Sequence, residues 1–236
     1  MRRAMHSERC RAARYLPVAA GAWLALAPVA AAAQDDIQAW TAVFASGPIE
    51  EGSRVLVWLD VQSRFRDEGD HLGTTIVRPG VGWRVSPRLD VWAGYAHVAT
   101  LGPGPDVEEH RLWQQATYPI ATLAKGKLTG RTRFEQRFRD GGDGTGWRLR
   151  QFLRWSRQIG ASPVSIVASN ETFVALNDTD WGQDAGFDQN RAFVGASWQT
   201  APRLRLETGY MNQQIAGGTR PDRENDNLVL SAFITF

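Results

Sequence analysis

Apolar and polar residues alternate with period two along most of the chain, in stretches of about ten positions. The last stretch is the cleanest. Leu228, Leu230, Ala232, Ile234 and Phe236 share one side, and Asn227, Ser231 and Thr235 lie mainly on the other. The same alternation marks 203–213, 190–198, 164–174, 147–157, 128–138, 109–118, 88–98, 74–85 and 54–65, and less clearly 37–45. Such alternation predicts half-apolar β-strands. The connections also alternate in kind. Short ones hold Pro48, Pro87, Pro119, Pro163 and Pro202, where the missing N–H is expected to end each strand. Longer polar ones span 66–72, 99–106, 140–146, 177–188 and 216–226. Short turns at one end and long loops at the other describe an all-β fold, a transmembrane antiparallel up-and-down β-barrel of about 10–12 strands. Five turns and five loops count to eleven strands, whereas single-chain bacterial barrels have even numbers. The expectation is therefore ten strands, with 37–45 outside the membrane, or twelve.

A soluble sandwich alternates too, so the two faces must be told apart. Aromatic residues fall near strand ends on the apolar face. With Phe236 at the turn end, Trp83, Tyr118, Trp155 and Trp198 end there as well, and Phe65, Tyr95, Phe138, Trp147 and Tyr210 cluster near the other end. Two such girdles are expected at membrane interfaces. The polar face carries Arg64, Arg78, Arg84, Arg111, Arg131, Arg133, Arg137, Arg148, Arg150, Arg154, Arg191 and Arg205, with Asp60, Asp90, Glu135, Glu171 and Glu207. Facing a closed lumen, these charges must pair or be hydrated. Exceptions cross the pattern: Gln114, Gln136, Gln151 and Arg157 sit on the apolar face, and Trp58, Trp92, Trp113 and Phe152 on the polar one.

The first residues change how the composition reads. The chain has 236 residues, 43% of them hydrophobic, with a formal charge of +2 and one Cys. Arg2, Arg3, Arg9, Arg11 and Arg14 precede a short apolar run over 15–29, which ends in four alanines, 30–33. A basic head, a short apolar core and small residues at the end are the secretory signal pattern. The domains expected are a signal peptide, 1–33, and an outer-membrane barrel, 34–236. Cleavage after Ala33 removes five of the 27 basic residues, one of the 25 acidic ones and Cys10. The mature chain is then slightly acidic and thiol-free. Its bulk charge gives no ground for a nucleic-acid partner, and an internal disulfide or a Cys-based zinc cluster is excluded. The mean hydropathy of −0.34 excludes a bundle of membrane helices but suits a barrel, whose lumen residues dilute its lipid face.

Three kinds of function follow. An arginine-rich lumen would favour anionic solutes, as a small pore. The candidate contacts are Arg64, Arg78, Arg111, Arg131, Arg133, Glu135, Arg137, Arg148, Arg150, Arg154, Glu171, Arg191, Arg205 and Glu207. In a barrel this narrow side chains can instead fill the lumen, with Arg–Glu networks sealing it. An outer-membrane enzyme would need an activated nucleophile or water. His97 and His110 flank one long loop with Glu108 and Glu109 nearby, but no adjacent Ser completes a triad, so no catalytic residue is assigned. Finally, the exposed loops could bind or adhere. Asp178, Asp180, Asp184 and Asp188 have a spacing that resembles calcium ligands but lacks the full EF-hand pattern, so no metal site is assigned. No P-loop or dinucleotide fingerprint occurs, and no cofactor is expected. The expected partners are outer-membrane lipid, the barrel assembly machinery and an anionic small solute.

The terminal Ala232-Phe233-Ile234-Thr235-Phe236, with Leu230, Ala232, Ile234 and Phe236 on its apolar side, resembles the signal by which the barrel assembly machinery recognises its clients. Gln38-Ala39-Trp40-Thr41, Ser169-Asn170-Glu171, Gly186-Phe187-Asp188-Gln189-Asn190-Arg191 and Gly209-Tyr210 resemble a Gram-negative family, domain-of-unknown-function family 2490. The resemblance covers nearly the whole mature chain and implies an outer-membrane barrel. It carries no activity across.

Overall fold

The period-two pattern becomes strand wherever it was read. In the computed structural model, which describes residues 36–218 and 221–236, the ordered elements are all strands. They are β1 (Asp36–Pro48), β2 (Val55–Arg66), β3 (His71–Ser86), β4 (Leu89–Thr100), β5 (Val107–Leu123), β6 (Gly126–Arg139), β7 (Gly146–Gln158), β8 (Val164–Ala175), β9 (Gly186–Ala201), β10 (Leu204–Ile215) and β11 (Arg223–Thr235). Each pairs with the next in antiparallel fashion, and β1 pairs with β11 to close a barrel. The expected export segment, 1–33, lies outside the described residues.

The strand number corrects the expectation of ten or twelve. Residues 37–45 belong to a barrel strand, β1, and no twelfth strand exists among the described residues. An odd count forces the first and last strands to run the same way, so the β1–β11 seam is parallel, from Asp36↔Asn225 to Ser46↔Thr235. Gly47 makes the end of this seam possible, because a Cβ there would collide with the backbone of Phe236.

Four of the five short connections fall at their proline, but Pro119 does not end its strand. β5 continues through an irregularity between Pro119 and Ala121 to a two-residue turn at Ala124 and Lys125. A bulge lets a proline stay in a strand without forfeiting the whole ladder. Ala124 and Lys125 take the turn with φ of 48° and 63°, the left-handed pair that a tight hairpin of this hand requires.

Alternation sorts the side chains into an inner and an outer face. Outward positions are aliphatic in mid-strand: Val43, Val77, Leu112, Ile166, Val194 and Leu230 are all exposed. Trp83, Trp198 and Phe236 are exposed at the turn end, where Tyr118 and Trp155 are half-buried. Tyr95, Phe138, Trp147 and Tyr210 are exposed toward the loop end. Ala232 and Ile234 share the outer face of β11 with Leu228 and Leu230.

The amide side chains on the outer face bond to polar neighbours there. Gln114 and Gln136 exchange two hydrogen bonds, 3.2 and 3.0 Å. Thr132 donates to Gln151 at 2.7 Å, and Gln151 donates to the Tyr118 hydroxyl at 3.3 Å. Asn170 and Asn190 exchange bonds of 2.9 and 3.1 Å.

The interior is filled unevenly. On the β2–β5 wall, Leu56, Trp92, Ala96 and Trp113 form a buried apolar cluster with Trp58 packed against it. Gly80, Gly82 and Gly94 point inward on the same wall. A Cβ at Gly80 would stand 2.5 Å from the Trp113 ring, and one at Gly82 would meet Trp92. These strands therefore trade side chains for space that the indoles occupy. The rest of the interior carries charged side chains, with Trp40, Phe44, Phe152, Phe193 and Phe233 among them toward the turn end.

Candidate functional site

Inward positions of β6, β7 and β8 meet in mid-barrel around two carboxylates. Glu135, fully buried, accepts from Arg148 at 2.6 and 3.1 Å and from Arg150 at 2.6 Å. Glu171 accepts from Arg150 at 2.8 and 3.1 Å and from Arg131 at 2.8 Å. It also lies 4.0 Å from Arg191, its register partner on β9. Toward the loop end Glu109 accepts from Arg111 and Arg137, both at 2.6 Å, and Asp188 takes Arg148 at 2.9 Å. Toward the turn end Glu207 takes Arg154 at 2.7 Å and Arg205 at 3.1 Å, while Asp60 pairs with Arg78. The chain has only two lysines, Lys125 and Lys127, both beside a turn. Every inner cation is a guanidinium, whose planar fork can serve two carboxylates at once.

All fourteen residues expected on the inner face are there: Arg64, Arg78, Arg111, Arg131, Arg133, Glu135, Arg137, Arg148, Arg150, Arg154, Glu171, Arg191, Arg205 and Glu207. Arginines outnumber carboxylates among them, and the excess rests on aromatic faces and amides. Arg64 lies 3.9 Å above the Trp40 ring and donates to Gln62 at 2.9 Å. Arg133, 1% exposed, lies 4.7 Å from the Trp113 ring and donates to Gln115 at 2.8 Å. Arg191 lies between Trp40 at 4.9 Å and Phe173 at 4.6 Å. Several guanidinium nitrogens have no acceptor among the described residues: Nε of Arg64, Arg78, Arg131 and Arg191, and both Nη of Arg133. Donors exceed acceptors in this layer, and such groups are costly when buried unpaired.

The interior is partitioned along its length. A cavity of about 380 Å³ on the turn side is lined by Trp40, Phe44, Trp58, Phe152, Phe193 and Phe233 together with Arg131, Arg154, Arg205 and Glu207. A second cavity, of about 330 Å³ toward the loops, is lined by Arg64, Arg111, Arg137, Arg139, Arg148, Gln189 and Gln213. Arg78, Arg150 and Arg191 line both, forming the layer between them. A third hollow, of about 660 Å³, opens at the turn end and shares Trp58, Arg131 and Phe152 with the first.

Glu109, the histidine pair and the acidic loop also take defined places. Glu109 was grouped with the histidines, but it is 7% exposed and faces inward with Arg111 and Arg137. Its place two residues before Arg111 on an alternating strand carried that information. His97 and His110 do face each other across β4 and β5, with rings 5.4 Å apart, but on the outer face, beside Glu108 and Tyr95. The acidic loop is tied inward rather than simply solvated. Gln183 from this loop is buried and accepts from Arg137 at 3.0 Å, and Arg139 donates to the Trp181 carbonyl at 3.1 Å. Asp180 accepts from the backbone N–H groups of Asp143 and Gly144 at 2.8 and 2.9 Å, which hold its carboxyl below its ordinary range. Asp178 accepts from Ala185 N–H at 2.7 Å. Asp188 is spent on Arg148.

The fold and interior define a closed, odd-stranded β-barrel, apolar outside and arginine-rich within. The chain belongs to the family described as protein of unknown function DUF2490, whose model matches residues 37–225. It is similar to an uncharacterized protein of Methylorubrum extorquens, with 37% identity over 199 residues, covering 83% of this chain and 84% of the relative. The segments that carried the family resemblance converge in space. Trp40 lies under Arg191, and Glu171 and Arg191 are register partners. Gly209 faces Gly195 across β9 and β10, and a Cβ on either would strike the Phe193 ring.

Proposed function

We propose that the protein is an integral outer-membrane barrel, exported through its first 33 residues, whose interior admits small anions. One observation carries this reading: apolar side chains are exposed all round the barrel while charge is concentrated inside. A soluble fold has the opposite arrangement, and a band of exposed aliphatics edged by aromatics suits a bilayer. The mutually bonded glutamines and asparagines of the outer face support it, because a polar group facing hydrocarbon needs a partner. The excess of guanidinium over carboxylate sets the sign of the solute. His97 and His110, on the outer face, have no part in this role, which is permeation or binding rather than catalysis.

The test is reconstitution of the barrel in planar bilayers under a salt gradient. Anion-selective current steps are expected, with weaker selectivity in Arg191→Gln. Cation selectivity would overturn the reading of the interior. A silent bilayer would favour the second reading, a sealed barrel, which the Glu135 network and the tryptophan cluster support by filling the barrel's middle.

A further inference from the structure

The two inner cavities differ in a way that simple anion conduction does not require. The loop-side cavity is polar, as expected for hydrated ions. The turn-side cavity has an aromatic lining: Phe44 and Phe233 stack at 4.9 Å, and Trp58, Phe152 and Phe193 add to the wall. Large apolar rings facing the inside of a barrel gain nothing from inorganic anions, which keep their water. Its volume, about 380 Å³, lies in the range of small-molecule sites, which are mostly apolar with a few placed polar groups.

The polar groups of this cavity are also one-sided. Arg78, Arg131, Arg150 and Arg191 line its inner end, where the carboxylates that hold them are Asp60 and Glu171, with Glu135 behind Arg150 and shared with Arg148. Glu207 at the other end is held by Arg154 and Arg205. The inner end therefore carries surplus positive charge, and Nε of Arg78, Arg131 and Arg191 donates to no group among the described residues. Neutral polar residues, among them Thr41, Gln62, Ser169, Gln199 and Ser231, complete the wall.

We propose that the turn-side cavity binds a small carboxylate with an apolar body. The body lies against Phe44, Phe233, Trp58 and Phe152, and the carboxylate meets the arginine layer at Arg191 and Arg131. The proposal rests on the anion-admitting interior and names its solute class. It adds that the aromatic chamber, and not the charge alone, selects the ligand.

The experiment is calorimetric titration of the whole barrel in lipid nanodiscs with 3-phenylpropionate. The neutral 3-phenylpropan-1-ol and inorganic phosphate are run beside it. Saturable binding of the carboxylate is expected, with the alcohol about tenfold weaker, the loss of one charge-assisted hydrogen bond. Arg191→Gln should weaken binding by about the same factor. Ser231→Phe, which fills the chamber without removing a charged residue, should abolish it while the barrel keeps its β-sheet circular dichroism. Equal binding of the alcohol, equal binding of phosphate, or unchanged binding in the Ser231→Phe barrel would each overturn the proposal, as would no binding of 3-phenylpropionate. Chloride-selective conductance without such binding would leave the anion-admitting interior standing and remove only this inference. Binding in a barrel without conductance would keep the site and remove the pore.

Discussion

The two walls of the barrel interior solve the same filling problem with different chemistry. The β2–β5 wall uses mass: Trp92 and Trp113 are buried, and glycines opposite them give up their side chains. The β6–β9 wall uses charge: Glu135 and Glu171 knit arginines into a lattice of short bonds. The tryptophan cluster gains from every contact, although Asp60, Arg78, Glu109 and Arg111 on the same strands form ion pairs of their own. The charged wall must first desolvate ions, so its pairs are worth little net, yet breaking one exposes the full cost. The first wall is therefore sensitive to shape and the second to charge.

Changes confined to one wall should separate these behaviours. The largest effect is expected for Glu135→Gln, which keeps the shape and removes the charge shared by Arg148 and Arg150. It should cost about 3–5 kcal/mol in urea unfolding followed by tryptophan fluorescence, the range for orphaning a buried ionic partner. Gly80→Ala on the opposite wall adds one methyl against Trp113 and should cost about 1–3 kcal/mol, as overpacking does. Combining it with Trp113→Leu should give less than the sum of the two single costs, since the smaller side chain frees the space. The same Trp113→Leu added to Glu171→Gln on β8 should be closer to additive. Strong coupling of that pair would break the separation of the walls.

The smallest effect concerns the loops above the charged wall. The Asp180 carboxyl is held below its ordinary value by the backbone N–H groups of Asp143 and Gly144. A depressed pKa means that the link is fully formed above the ordinary carboxylate range, near pH 4, and is lost as pH falls through the folded value. Hydrogen-exchange protection of the Asp143 and Gly144 amides, corrected for intrinsic rates, should drop on acidification toward pH 3. In Asp180→Asn that pH dependence should vanish.

Much of this was legible in the chain, because the barrel's faces depend only on side-chain parity. Arg131, Arg133 and Arg137 or Arg148, Arg150 and Arg154 could be set inside without any tertiary information. Parity also carried Glu109, which was lost only because its neighbour His110 suggested a different chemistry. Strand closure was another matter. Alternation says which face a residue takes but nothing about which strand lies beside it, so the pairing of β1 with β11 was invisible. The even-number rule then removed a strand that the alternation had found. Pro119 misled for a local reason: a bulge absorbs the missing donor, and bulges depend on the partner strand. The division of the interior into two cavities was not legible either. It depends on how far arginines from β3, β7 and β9 reach toward one another, a distance that no single strand contains.

The parallel seam has a topological consequence. In an even-stranded barrel both chain ends emerge from the same rim. Here the described chain starts at the loop rim and finishes at the turn rim. A peptide joining the two would have to span the height of a strand, about 40 Å for twelve residues in extended conformation. Circular permutation by a short linker is therefore closed to this architecture. Epitopes inserted just before Asp36 and after Phe236 should be reached by antibodies from opposite rims of the barrel.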